Sequence, residues 1–144
     1  MDVVEWVTEQ GGIVRAAELR RHGASSRAIA AAVARGALQR PRKGWIASPR
    51  ADPYLVAAAR AGVVLTCVTQ ARRLGLWVLD ADKPHVGAPS HAGTVRVERE
   101  PEPPDGADAR KAVVHWAAPL VPRDPAKLVD PIENVLALVA ACRP

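Results

Sequence analysis

Phenylalanine is absent from the 144 residues, tyrosine and methionine occur once each, and cysteine occurs twice. With no Phe, tryptophan is the chief large apolar filler. Trp6, Trp45, Trp77 and Trp116 each stand beside Val, Ile or Leu and are expected in the core; base stacking stays open only for Trp45. Ala-rich helices and Val-rich strands must do the rest of the packing. Cys67 and Cys142 lie far apart in apolar surroundings, outside any CxxC pair, so buried free thiols in a reducing compartment are expected. His22, His85, His91 and His115 show no metal-ligand spacing, and no metal is expected. The longest apolar run, Val135 to Cys142, is too short to span a bilayer. Met1-Asp2 followed by Glu5 lacks the basic and apolar regions of a secretory leader. A soluble, cytoplasmic protein with no membrane partner is the expectation.

Enzyme signatures are missing too. There is no phosphate-cradling or dinucleotide Gly-rich loop. A restriction-type nuclease needs an Asp and a Glu-x-Lys pair to hold a metal. No Glu-x-Lys occurs, and Asp80, Asp82, Glu98 and Glu100 qualify by residue type only. Ser90-His91 is not a nucleophile elbow, and no base can be placed beside Cys67 from sequence. No catalytic residue and no cofactor are expected.

What the chain does have is a segregated charge. The formal net charge is +5. Asp2, Glu5 and Glu9 make residues 1–14 acidic. Residues 15–50 carry nine bases against the single acid Glu18, a net +8, and residues 51–144 carry eleven of each sign. A basic block confined to a quarter of the chain is the electrostatic footprint of a polyanion binder.

The same segment has helical punctuation. Residues 2–9 read as a short helix, with Val3, Val4 and Val7 on one stripe, stopped by Gly11-Gly12. Ile13-Val14 is extended. Residues 16–22 form a second helix ended by Gly23, and Ser25 or Ser26 caps a third over 27–35, with Ile29 and Val33 facing inward. Residues 37–47 have the layout of a β-hairpin whose tip is Arg40-Pro41-Arg42-Lys43-Gly44. After a linker at 48–52, Asp52-Pro53 opens a helix to Ala61. Val63-Val64-Leu65 is a strand, and 66–74 a fifth helix. Strand-like pieces follow at 83–88, 94–99 and 112–116, with a Pro-rich acidic loop at 100–108. Asp130-Pro131 opens a final apolar helix to Cys142, as suited to a dimer interface as to a core.

Two helices joined at Gly23-Ala24-Ser25 and followed by a basic hairpin make a winged helix-turn-helix. The third helix is slim, its face being mostly Ala, so its backbone can approach a major groove. Ser25, Ser26 and Arg27 sit at its N-terminus, where amides and the helix dipole favour phosphate. Arg40, Arg42 and Lys43 at the wing can reach the backbone or minor groove, and Arg20, Arg21 and Arg35 add phosphate contacts. Double-stranded operator DNA is the expected partner.

Residues 11–48 (GGIVRAAELRRHGASSRAIAAAVARGALQRPRKGWIAS) carry a family resemblance. Gly11-Gly12, Ala17 to Leu19, Ser26-Arg27, Arg35 to Leu38 and Gly44 to Ile46 resemble the N-terminal winged helix of AbiEi-type antitoxins, a module shared with proteins ending in a Vsr-like endonuclease domain. The likeness runs more loosely through Asp52 to Leu76. It implies operator binding by the winged helix, transcriptional repression or autoregulation of a toxin-antitoxin, abortive-infection or prophage operon, and antitoxin function in the C-terminal part. Longer members continue into a second domain where this chain stops at Pro144, which favours a stand-alone regulator.

The expected fold is α+β: a winged helix-turn-helix over 1–50, then a small α/β region over 51–144 with a few antiparallel strands and a C-terminal helix. Two other functions stay open. One is a protein-interaction module, an antitoxin or phage-exclusion protein, working through residues 51–144. The other is the DNA-targeting part of a nuclease-related protein. A cognate toxin and a second copy of the chain are the candidate protein partners.

Overall fold

The computed structural model describes residues 1–77, 83–89, 92, 95, 97 and 112–142. The chain forms two compact units, Met1–Arg60 and Ala61–Pro144.

Unit 1 begins with α1 (Val3–Glu9), capped by the Asp2 carboxylate, which accepts from the amides of Val4 and Glu5 at 3.0 and 3.1 Å. β1 (Ile13–Arg15) leads directly into α2 (Ala16–Arg21), and α3 (Ser26–Ala34) follows after a four-residue turn. β2 (Trp45–Ala47) returns antiparallel to β1, pairing Val14 with Ile46. Val3, Val7, Val14, Leu19, Ile29, Leu38 and Ile46 meet in one buried cluster. Fully burying an aliphatic side chain of this size contributes about 1.5–3 kcal/mol. The cluster therefore fixes how α1, α2 and α3 lie on the small sheet. The arrangement is consistent with a winged helix-turn-helix.

The wing is slighter than a hairpin over 37–47. Only Gln39 and Ala47 pair, exchanging hydrogen bonds of 2.8 and 2.9 Å. Pro41 has no amide to donate to a ladder, and the chain turns instead. The Trp45 amide donates to Arg42 O at 3.0 Å, and Gly44 supplies the positive φ of +91° that the turn requires.

α4 (Pro53–Ala61) opens with the Asp52 carboxylate accepting from the Tyr54 amide at 2.9 Å. Unit 2 then contains β3 (Val64–Leu65), α5 (Cys67–Arg73), β4 (His85–Gly87), β5 (Val113–His115) and α6 (Ile132–Cys142). β4 is central. β3 pairs with it antiparallel, as expected, but β5 pairs with it parallel. Leu65 also bridges to Val129, which places the segment before α6 beside β3. α6 packs on α5. The expected strand over 94–99 and the acidic loop over 100–108 lie outside the described residues, apart from Val95 and Val97.

A buried polar network precedes α6. Arg123 donates to both oxygens of Asp130 at 2.9 and 3.1 Å, and Asn134 Nδ2 donates to Asp130 Oδ1 at 2.9 Å. Asn134 also clasps the Val121 backbone, donating to its carbonyl and accepting from its amide. Gly87 makes room for this network, since a Cβ there would collide with the Arg123 guanidinium.

The tryptophans divide. Trp45 is buried, and Trp6 is half-buried with its ring 4.9 Å from that of His22. Trp77 and Trp116 are 79% and 46% exposed, which corrects the expectation that all the tryptophans fill the core. Trp77 follows the Gly75 turn beyond α5, and Trp116 stands just past the last paired residue of β5. Among the described residues no helix is long and apolar enough to cross a membrane.

Candidate nucleic-acid interface and a Cys/His cluster

The turn between α2 and α3 is closed at both ends by backbone rules. Gly23 adopts φ +107°, and the amides of Gly23 and Ala24 return to Arg20 O and Leu19 O at 3.0 and 3.2 Å. This doubly bonded glycine stop ends α2 sharply. Ala24 is buried, and the Ser25 hydroxyl then caps α3 by accepting from the Ala28 amide at 3.0 Å. The cap is Ser25, and Ser26 becomes the first helical residue.

α3 turns Ile29 and Ala32 into the core, with Ala28 and Val33 partly buried beside them. The opposite face shows Ser26, Arg27, Ala30, Ala31 and Ala34 to solvent. That face has no side chain larger than alanine between Arg27 and Arg35, and no acid stands in the first turn of the helix. A backbone so thinly covered can approach a groove edge closely.

All nine residues expected to contact DNA are exposed: Arg20 and Arg21 on α2, Ser25, Ser26 and Arg27 at the start of α3, Arg35 after its end, and Arg40, Arg42 and Lys43 at the wing. Arg42 also donates to Arg60 O at 3.2 Å. Arg15 behaves differently from the other members of the basic block. Its guanidinium lies 4.1 Å over the Trp45 ring, and the Ala16 amide donates to Gly44 O at 2.9 Å. Arg15 thus braces the wing turn from beneath. Trp45, buried under it, belongs to the core and is not placed to stack on a base.

Unit 2 contains a second grouping, which the spacing of residues along the chain concealed. One ligand-capable atom from each of Cys67, His85, His115 and Cys142 lies within 4.8 Å of every other. His85 Nδ1 is 3.1 Å from His115 Nε2 and 3.8 Å from Cys142 Sγ. The parallel register pairs Gly87 with His115, so His85 and His115 share one face of adjacent strands, with rings 5.4 Å apart. Cys67 is the first residue of α5 and Cys142 the last of α6. Burial, reinforced by the neighbouring Cys142, pushes the Cys67 thiol up to about 11 against a lowering hydrogen bond from the backbone of Val68. Burial, with Arg123 adding to it, holds His115 below its ordinary value. The two thiols are therefore not isolated in apolar surroundings. The one signal in the sequence was strand parity, which places His85 and His115 on a common face only once the parallel pairing is known.

Comparison with known proteins bears on the first of these sites. Residues 1–44, from the start of the chain to the wing turn, match the family described as "Transcriptional regulator, AbiEi antitoxin". The resemblance read from the residues of this segment is thereby confirmed, and it supports a regulator or antitoxin role in general. No curated protein matches the chain.

Proposed function

We propose that the protein is a sequence-specific double-stranded-DNA-binding repressor that acts on its own operon, with unit 1 as the reading head. α3 enters the major groove with its alanine face, and the wing arginines and lysine hold the flanking backbone or minor groove. The observation that supports this best is the make-up of the exposed surface of α3. Its core-facing side is aliphatic, while its outer side is Ser, Arg and Ala, with nothing bulky to hold it off a groove. The nine exposed polar and basic residues around it are suited to phosphates, which position a protein on DNA. The role requires no chemistry at a bond, so the protein is proposed as a cytoplasmic regulator and not an enzyme. The family matched by residues 1–44 is described as an antitoxin, which favours toxin neutralisation as a second role, and we propose unit 2 as its working surface. Ile132 and Leu136, half-exposed on α6, supply apolar surface for such a partner or for a second copy of the chain.

The test is the triple reversal Arg40→Glu, Arg42→Glu and Lys43→Glu, measured against DNA from upstream of the gene. Loss of binding with unchanged circular dichroism is expected, and the salt slope of a wing-neutralised variant should fall by roughly one for each phosphate contact removed. Unchanged binding would sink the wing assignment.

A further inference from the structure

We propose that Cys67, His85, His115 and Cys142 bind one zinc ion as a closed, structural Cys2His2 centre inside unit 2. A tetrahedral zinc has Zn–S near 2.3 Å and Zn–N near 2.0–2.1 Å, so its ligand atoms stand about 3.3 Å apart for N–N, about 3.6 Å for S–N and about 3.8 Å for S–S. His85 Nδ1 and His115 Nε2 are 3.1 Å apart, Cys142 Sγ and His85 Nδ1 are 3.8 Å apart, and all ligand atoms fall within 4.8 Å of each other. The grouping is thus close to the size of a zinc coordination shell.

Two simpler explanations account for less. A disulfide would join Cys67 to Cys142 but would not explain two imidazoles brought within the same 4.8 Å grouping. A hydrogen-bonded cluster explains any one pair, but not four ligand-capable atoms gathered within 4.8 Å of one another from four separate elements. The donor set also selects the ion. Two soft thiolates and two imidazoles suit zinc over magnesium or calcium, which prefer oxygen. Two thiolates offset the charge of a dication, so the loaded centre is neutral and compatible with burial.

The surroundings hold the ligands in place. The His85 amide donates to Thr69 Oγ1 at 2.7 Å and the His85 carbonyl accepts from the Thr66 amide at 3.1 Å, tying β4 to the start of α5. Cys67 itself sits at φ +50°, the one described non-glycine residue with positive φ. Backbone strain of this kind persists where the surroundings impose it. With four protein ligands there is no open position for substrate, so the role is structural. The ion would fasten the C-terminal end of α6 to α5 and to the β4–β5 pair.

The experiment uses the full chain, purified under reductant without added chelator. Its metal content is measured by plasma mass spectrometry, and the chelator-stripped protein is titrated with cobalt(II). One zinc per chain and one equivalent of bound cobalt are expected, with tetrahedral visible bands and a thiolate-to-cobalt charge-transfer band. In Cys142→Ser that band should drop by about half, one of two thiolates being gone. A melting temperature that falls on chelation and recovers with zinc is expected as well. Stripped wild-type protein that keeps native circular dichroism yet gives no charge-transfer band with cobalt would overturn the proposal. So would a Cys67–Cys142 disulfide, found by mass spectrometry, in metal-free protein as isolated.

Discussion

Removing Arg123 should cost unit 2 far more than removing its partner, and the excess should depend on pH. The Asp130 side chain is fully buried, while that of Arg123 is 18% exposed. In Arg123→Ala the carboxylate is left buried without its cationic partner, beside the neutral Asn134 amide and Thr66 hydroxyl. Breaking a buried pair in this way costs about 3–5 kcal/mol. In Asp130→Ala the guanidinium loses two charge-assisted bonds but can relax toward water, so a smaller loss of about 2 kcal/mol is expected. In the wild type, burial pushes Asp130 upward, but the Arg123 guanidinium, with the Asn134 amide and the Thr66 hydroxyl, outweighs it and holds the group below its ordinary 3.8. A depressed carboxylate stabilises the fold above its unfolded value, and that stability is lost only as pH falls through the still lower folded value. In Arg123→Ala the sign reverses. The stranded carboxyl rises above its unfolded value, so the penalty is full at neutral pH and is relieved as acid supplies a proton. Urea unfolding followed by far-ultraviolet circular dichroism, at neutral pH and near pH ~4, reads the difference. The gap between wild type and Arg123→Ala should narrow on acidification, with no such narrowing for Asp130→Ala. Equal losses in the two variants with a pH-independent gap would refute the reasoning.

Two further outcomes follow from unit 1. Ser25→Ala removes the hydroxyl that caps α3; it should destabilise unit 1 by about 1 kcal/mol, and Ser25→Asp should restore most of that in thermal melts. Gly12→Ala combines a φ of +91° with a new Cβ 3.2 Å from Ala51 Cα, so a loss of about 1–3 kcal/mol is expected in urea unfolding, and a neutral result would show that the backbone there yields freely.

The first fifty residues were legible because their signals are local. Asp2 caps α1, Gly23 stops α2 and Ser25 starts α3, and each acts over three or four residues, within reach of a pattern in sequence. The wing was legible as a turn but not in its reduced pairing, which depends on what a single Gln39–Ala47 bridge can support. Unit 2 resisted because its contacts are distant. The direction of β5 depends on how the chain crosses over to reach β4, which residue spacing does not encode. His85 stands 30 residues from His115 and 57 from Cys142, so no short ligand motif could appear. Arg15 entered the sequence reading only as one charge of the basic block, and its place over the Trp45 ring, across the β1–β2 pairing, was not legible there. Trp77 and Trp116 were misplaced because sequence neighbours do not tell which face a side chain takes at the end of an element.

The most direct test of DNA recognition is fluorescence-polarisation binding of the full chain to the duplex upstream of its gene, against a scrambled duplex, over a salt series. If about six phosphates are neutralised, the affinity should fall roughly a thousandfold between about 50 and 200 mM salt. The native duplex should stay preferred throughout. Equal binding to both duplexes would contradict sequence-specific repression, and no binding at low salt would contradict the assignment of unit 1 as a DNA reader.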